Sequence, residues 1–149
     1  MATIKTNIGE VTESIKGKLA KLGDKEYIPR TLSFDLIDLM TKRIHIDGKA
    51  SDESQIGTYN KDYLSLRRRK YNRSADPKII VSLTRQLEND WNVIATDDGY
   101  GIGFLNPLSL QKLRWVEGIK DKTIANLSKS EQQYAVDRIN ELVADALNS

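Results

Sequence analysis

The sequence predicts an α+β domain in which helices pack around a small antiparallel sheet, and three observations lead there. Apolar residues recur every three or four positions near both ends: Ile4, Ile8, Val11, Ile15, Leu19 and Leu22, then Ala135, Ile139, Leu142, Val143 and Ala146, which is helical spacing. Between them, the runs around Val93–Ile94 and Tyr100–Phe104 flank Asp97-Asp98-Gly99, and Asp-Gly between such runs is a strong hairpin signal. Ser128-Lys129-Ser130-Glu131 is an S-x-x-E capping box, which opens a helix.

The elements follow in order. A helix is predicted over about 6–22, stopped by Gly23-Asp24; its apolar stripe needs cover from the rest of the domain or from a neighbouring subunit. After Tyr27-Ile28-Pro29, the residues Leu32, Leu36, Leu39, Met40, Arg43 and Ile44 share one side of a second helix. Thr31 or Ser33 is available as its N-cap, and it ends near His45. From about 47 to 77 the apolar rhythm fades, so this stretch is expected to be a long contact excursion without regular structure. KIIVSL, Lys78 to Leu83, is β-branched and follows Pro77, as a short buried strand would. A helical turn over 85–90, the hairpin over 92–104, a short helix over 108–116 and the C-terminal helix complete one domain over 1–149.

Composition narrows the function. At 149 residues with 39% hydrophobic and 30% charged side chains, the chain can bury a proper core and is not of disordered type. No apolar run approaches the length of a membrane span and the N-terminus lacks signal-peptide grading, so a soluble protein made in a cytosol, with no membrane partner, is expected. With no cysteine, thiolate metal sites and cysteine nucleophiles are excluded. The net charge of +2 does not by itself imply a nucleic-acid partner.

DDGYGIGF, residues 97–104, admits three readings: phosphate loop, metal site or turn. A phosphate loop lies between a strand and a helix, but here Gly101 and Gly103 alternate with Tyr100, Ile102 and Phe104 as in a strand. That places both glycines on one face, a bare strip of backbone suited to close approach by another segment. Adjacent Asp97 and Asp98, and the Asp47, Asp52 and Glu53 stretch, miss the spacing of a calcium loop. The single histidine, His45, has no partner for transition-metal ligation and is expected at a helix end or on the surface. No nucleophile is marked by its surroundings, so neither a catalytic residue, a metal site nor a cofactor is assigned and no enzyme is expected.

One concentrated charge feature remains. Arg67-Arg68-Arg69-Lys70, with Lys61, Arg73 and Lys78 nearby, is interleaved with Tyr59, Tyr63 and Tyr71. Either the cations contact phosphates while tyrosines pack against sugars or bases, or the run is a solvated loop facing acidic neighbours. The tyrosines point to an ordered contact surface. Trp91 and Trp115 are expected in the core, with Trp115, flanked by charges, also a candidate for an interface.

Several of these pieces resemble a known family. Arg43, Ile44, Gly48, Ile56, Gly57 and Tyr59 match the pattern R-I-x-x-x-G-x-x-x-x-x-x-x-I-G-x-Y of small phage-encoded proteins. Leu83, Thr84 and Leu87 match an L-T-x-x-L segment, followed by a hairpin ending in Gly101, Gly103 and Phe104. The Arg-Trp of KLRWVEG and the LSKSEQ helix start also fit. Many relatives carry glycine after the L-T pair, where this chain has Arg85. The chain thus resembles the neck proteins of tailed bacteriophages, also called tail-completion or head-tail joining proteins, and most nearly those of phages infecting gut Bacteroidetes. The resemblance implies a non-enzymatic virion subunit, present in the host cytoplasm during assembly. It implies a homo-oligomeric ring, six- or twelve-fold, meeting the portal or head-completion protein, the tail and other neck proteins, with double-stranded DNA passing through without sequence specificity. Candidate DNA-passage or partner contacts are Lys61, Arg67, Arg68, Arg69, Lys70, Tyr71 and Arg73. Candidate subunit-interface residues are Ile8, Val11, Ile15, Tyr59, Tyr63, Gly101, Gly103 and Trp115. The alternative is a small free nucleic-acid-binding protein using the basic run from Arg67 to Lys78.

Overall fold

The computed structural model describes residues 2–3, 26–82, 85–97 and 99–148. The predicted first helix, with Ile8, Val11 and Ile15, lies outside the described residues, as do Leu83, Thr84 and Asp98. The fold is α+β: strand β1 (Ala2–Thr3), helix α1 (Tyr27–Thr41) continued by a π turn (Lys42–Ile46), α2 (Lys61–Tyr71), α3 (Gln86–Asp90), the hairpin β2 (Trp91–Thr96) and β3 (Gly99–Phe104), α4 (Pro107–Lys120) and α5 (Lys129–Asn148). Among the described residues no helix is long and apolar enough to cross a membrane.

The α1 helix begins earlier than its predicted Thr31 or Ser33 cap. Pro29 sits in its first turn, where a missing N–H costs nothing, and the Ser33 hydroxyl donates to the Pro29 carbonyl at 2.8 Å instead of capping. Ile28, Leu32, Leu36, Met40 and Ile44, each four residues on from the last, are all buried. They meet Ala135, Ile139 and Leu142 of α5 and Trp91, Ile102 and Phe104 of the sheet in one core. At the C-terminal end the π turn, closed by the Asp47 amide on the Lys42 carbonyl at 2.9 Å, brings three successive residues, Arg43, Ile44 and His45, inside. His45 therefore does lie at a helix end, but it is buried rather than exposed.

In the sheet β3 is central, antiparallel to both neighbours. Trp91 pairs with Phe104 across β2 and β3, and their rings lie 4.9 Å apart at 55°, a tilted contact favourable for aromatic pairs. Thr96 pairs with Gly99, so the hairpin forms where the Asp-Asp-Gly signal predicted it, but Gly99 itself stands at the start of β3, at φ 138°. Over its described residues, 78–82, the predicted strand does not form. Lys78 makes a single bridge to Thr58, and Val81 has a positive φ of 48°, incompatible with an extended run; Ile79 and Val81 nevertheless enter the core.

The excursion over 47–77 also departs from expectation, because it contains α2. Before that helix the chain folds tightly on residues 77–79. The Ile56 amide donates to Gly48, Ile79 to Gly57 and Tyr59 to Pro77. Gly48 has φ +66°, and a β-carbon there would sit 2.2 Å from the Ile79 carbonyl oxygen, so both conformation and space demand glycine.

One buried cation ties these parts together. The Arg43 Nε donates to the Glu131 carboxylate at 2.7 Å, and its other nitrogens donate to the carbonyls of Lys49 at 3.1 Å, Ile124 at 3.1 Å and Asn126 at 2.9 Å. Glu131 uses its second oxygen to accept from the Ser128 amide at 2.8 Å, while Ser128 Oγ accepts from the Glu131 amide at 3.2 Å. The capping box of α5 is therefore also the counter-ion of α1. Because both groups are fully partnered, removal of one strands the other. Arg43→Ala is expected to cost about 3–5 kcal/mol in urea unfolding, and a midpoint unchanged from wild type would remove Arg43 from this role.

Burial lowers the pKa of His45 from its ordinary 6.5, against the opposing pull of Glu88 and the Val81 and Ile80 carbonyls. Its Nδ1 has no hydrogen-bond partner among the described residues. The unfolded chain thus takes up the proton first: stability is full above pH 6.5 and falls as pH drops from there toward the depressed folded-state pKa. Since the chain has one histidine, His45→Gln should abolish this slope in unfolding experiments between pH 7 and 5; an identical slope would contradict it.

Candidate interaction surface

The α2 helix owes its ends to asparagines. Asn60 accepts from the Tyr63 amide at 2.8 Å, and Asn72 closes it in a left-handed conformation at φ 49°; Asp62 in the first turn and Arg68, Arg69 and Lys70 in the last suit the helix dipole. No continuous apolar stripe announces it. Its buried contact is instead made by Arg67, whose guanidinium lies 4.3 Å from the Tyr59 ring centre and 5.9 Å from that of Tyr63. The two tyrosines are themselves 5.3 Å apart. Burial pushes the Tyr59 phenol pKa up, with the Arg67 charge working against it.

This arrangement divides the predicted basic run. Arg67 is only 3% exposed and its charge is spent on tyrosine faces, so it is not presented to a partner as expected. Arg73 is also engaged, donating to Ser82 Oγ at 2.6 Å with Glu88 at 4.0 Å. Lys61, Arg68, Arg69 and Lys70 are exposed; the Lys70 ammonium lies 5.5 Å from the Tyr71 ring centre. Arg68, Arg69 and Arg73 line a shallow depression with Asp62.

Between α2 and α4 runs a groove of about 660 Å³, lined by Tyr59, Tyr63 and Tyr71 on one side and by Lys112, Val116, Ile119 and Lys120 on the other. The α4 helix is fixed by Asn106, which accepts from the Leu108 amide at 2.9 Å, and by Pro107 at its first turn. Leu110, Leu113 and Val116 face the core, while Leu108, Trp115 and Ile119 lie 61%, 58% and 78% exposed. Trp115 is therefore outside the core, and Trp91 inside it. An apolar patch of this kind on a helix marks a place of contact. The sequence reading missed Lys112, Lys120, Leu108 and Ile119; the signal was that LSLQKLRWVEGIK carries apolar residues on more than one side, more than a core face requires.

The two strand glycines part company. A β-carbon on Gly101 would meet nothing within 4 Å, so that backbone is open as expected, whereas Gly103 is buried and paired with Thr3 and Asn92. Among the described residues no group of histidines and carboxylates is placed to hold a metal ion.

The division of the basic run is measurable. Arg67→Ser should destabilise the fold by about 2 kcal/mol through lost stacking and stem packing, while Arg68→Ser, Arg69→Ser and Lys70→Ser together should leave the melting temperature almost unchanged. Equal effects of the two variants would contradict the assignment. No protein-family model matches the chain, and neither curated proteins nor solved structures show a significant match to it.

Proposed function

We propose that this chain is a structural subunit of the neck of a tailed bacteriophage, a ring-forming piece that joins the portal or head-completion protein to the tail around the DNA passage. What supports the reading above all is that residues carrying the family resemblance hold structurally demanding posts. Arg43 is the buried hub, Gly48 occupies a site closed to any β-carbon, and Ile56 and Tyr59 complete the fold around it. Arg85, where relatives carry glycine, has a left-handed φ of 64°, the conformation glycine adopts most readily. In this role the chain works by contact and no side chain needs catalytic power. The exposed cations Arg68, Arg69 and Lys70 face the DNA or an adjoining protein ring, a sequence-independent use of charge.

The test is genetic. A stop codon in this gene of the encoding phage should yield heads without attached tails, restored by wild-type protein supplied in trans. The Arg68→Ser, Arg69→Ser, Lys70→Ser variant, although folded, should restore infectious particles at a clearly lower yield. Normal tailed particles in the absence of the protein would sink the proposal. Tight, steeply salt-dependent DNA binding by an isolated monomer would favour a free nucleic-acid-binding protein instead.

A further inference from the structure

We propose that the groove between α2 and α4 receives the outward face of α5 from a second copy of this chain. Apart from Arg67, which is taken up by the tyrosine rings, the groove wall contains two cations, Lys112 and Lys120, and no carboxylate. Among the described residues neither Lys112 nor Lys120 has a carboxylate within salt-bridge distance. Between and beside these charges lie Val116 and the strongly exposed Ile119. The surface thus asks for an acidic partner with apolar residues interspersed.

The chain itself carries one. On α5, Asp137, Glu141 and Asp145 recur every four residues on the exposed side, next to exposed Val136 and Ala144. No lysine or arginine follows Arg138 along that helix, and Arg138 is already engaged by Asp35 and Glu141. The spacing also matches. Lys112 and Lys120 are two helical residues in an i, i+8 relation, as are Asp137 and Asp145, so each pair spans about 12 Å along its axis. Two helices laid side by side can satisfy both pairs at once while Ile119 meets the Val136–Ala144 side, and opposite potentials would steer the approach.

The two surfaces are different parts of the molecule: α5 packs on α1, and α4 packs against β3. One such contact therefore leaves a free groove on one copy and a free acidic helix on the other, and association continues head to tail until a ring closes. The contact gives the proposed ring its joint, and it rests on that reading only for the ring's place in a virion.

The experiment uses the purified full chain in sedimentation velocity at 50 and 500 mM salt. Wild type should associate beyond dimer at low salt and dissociate at high salt. Lys112→Glu/Lys120→Glu and Asp137→Lys/Asp145→Lys should each weaken self-association at least about tenfold. Mixed together they should associate beyond dimer again, with the two variants alternating because each surface of one is complementary to a surface of the other, and the fourfold charge exchange in one chain should likewise restore assembly. The mutual rescue also shows both variants folded; Lys112→Gln/Lys120→Gln serves as the milder form. Wild type that stays monomeric at low salt, variants that associate like wild type, or a mixture that does not pair would each overturn the proposal. Association of this kind by a protein absent from virions would overturn the neck reading alone; a neck protein whose copies do not pair through these residues would overturn only this one.

Discussion

The arrangement of this chain depends on the Arg43–Glu131 pair. Both side chains are about 6–7% exposed, and a bare ion at such depth would be prohibitive. The structure meets that demand by giving each charge a second task. Arg43 gathers three carbonyls from the segments at 49, 124 and 126, and Glu131 completes the N-terminus of α5. One interaction thereby sets where α1 ends, where α5 begins and how the loops between them run. The π turn serves the same end, since it points Arg43, Ile44 and His45 inward in succession. His45 bears the consequence as a buried ring whose pKa desolvation lowers.

A second cation substitutes for apolar side chains. Arg67 lies against Tyr59 and Tyr63, so α2 is attached to the body of the protein through guanidinium and ring faces, with Leu64 only half-buried. A guanidinium suits this place because it is planar and weakly hydrated. The attachment turns Arg68, Arg69 and Lys70 outward together, and the basic face follows from how the helix is held.

The α4 helix shows the converse. Leu110, Leu113 and Val116 complete the core, yet Leu108, Trp115 and Ile119 face solvent. Leaving that much apolar surface exposed is unfavourable for an isolated chain and favourable for one that meets others. With α2 across the groove, the helix forms a surface both apolar and basic, while the outer side of α5 is acidic. In the proposed neck subunit, such unlike faces are what a ring of identical copies requires.

Local rules were enough wherever a few neighbouring residues decide. The hairpin was legible because two β-prone runs and Asp-Gly leave little choice, and the α5 start because Ser128 and Glu131 satisfy each other within one turn. The α1 stripe was legible because its apolar residues recur every four positions. The α2 helix was not, since its buried residue is an arginine and its caps are asparagines that equally favour turns. KIIVSL has strand composition, yet Val81 at positive φ breaks it. The basic run was visible as charge, but only packing could distinguish Arg67, held on tyrosines, from Arg68 and Arg69, left exposed. The sequence alone determined the α+β class, the hairpin and the C-terminal capping box, because those are short-range choices of torsion and periodicity. Only the tertiary structure decided that Arg43 is the hub, that His45 is buried and that Lys112 and Ile119 share a groove with Tyr63, because burial and distance depend on segments far apart in the chain.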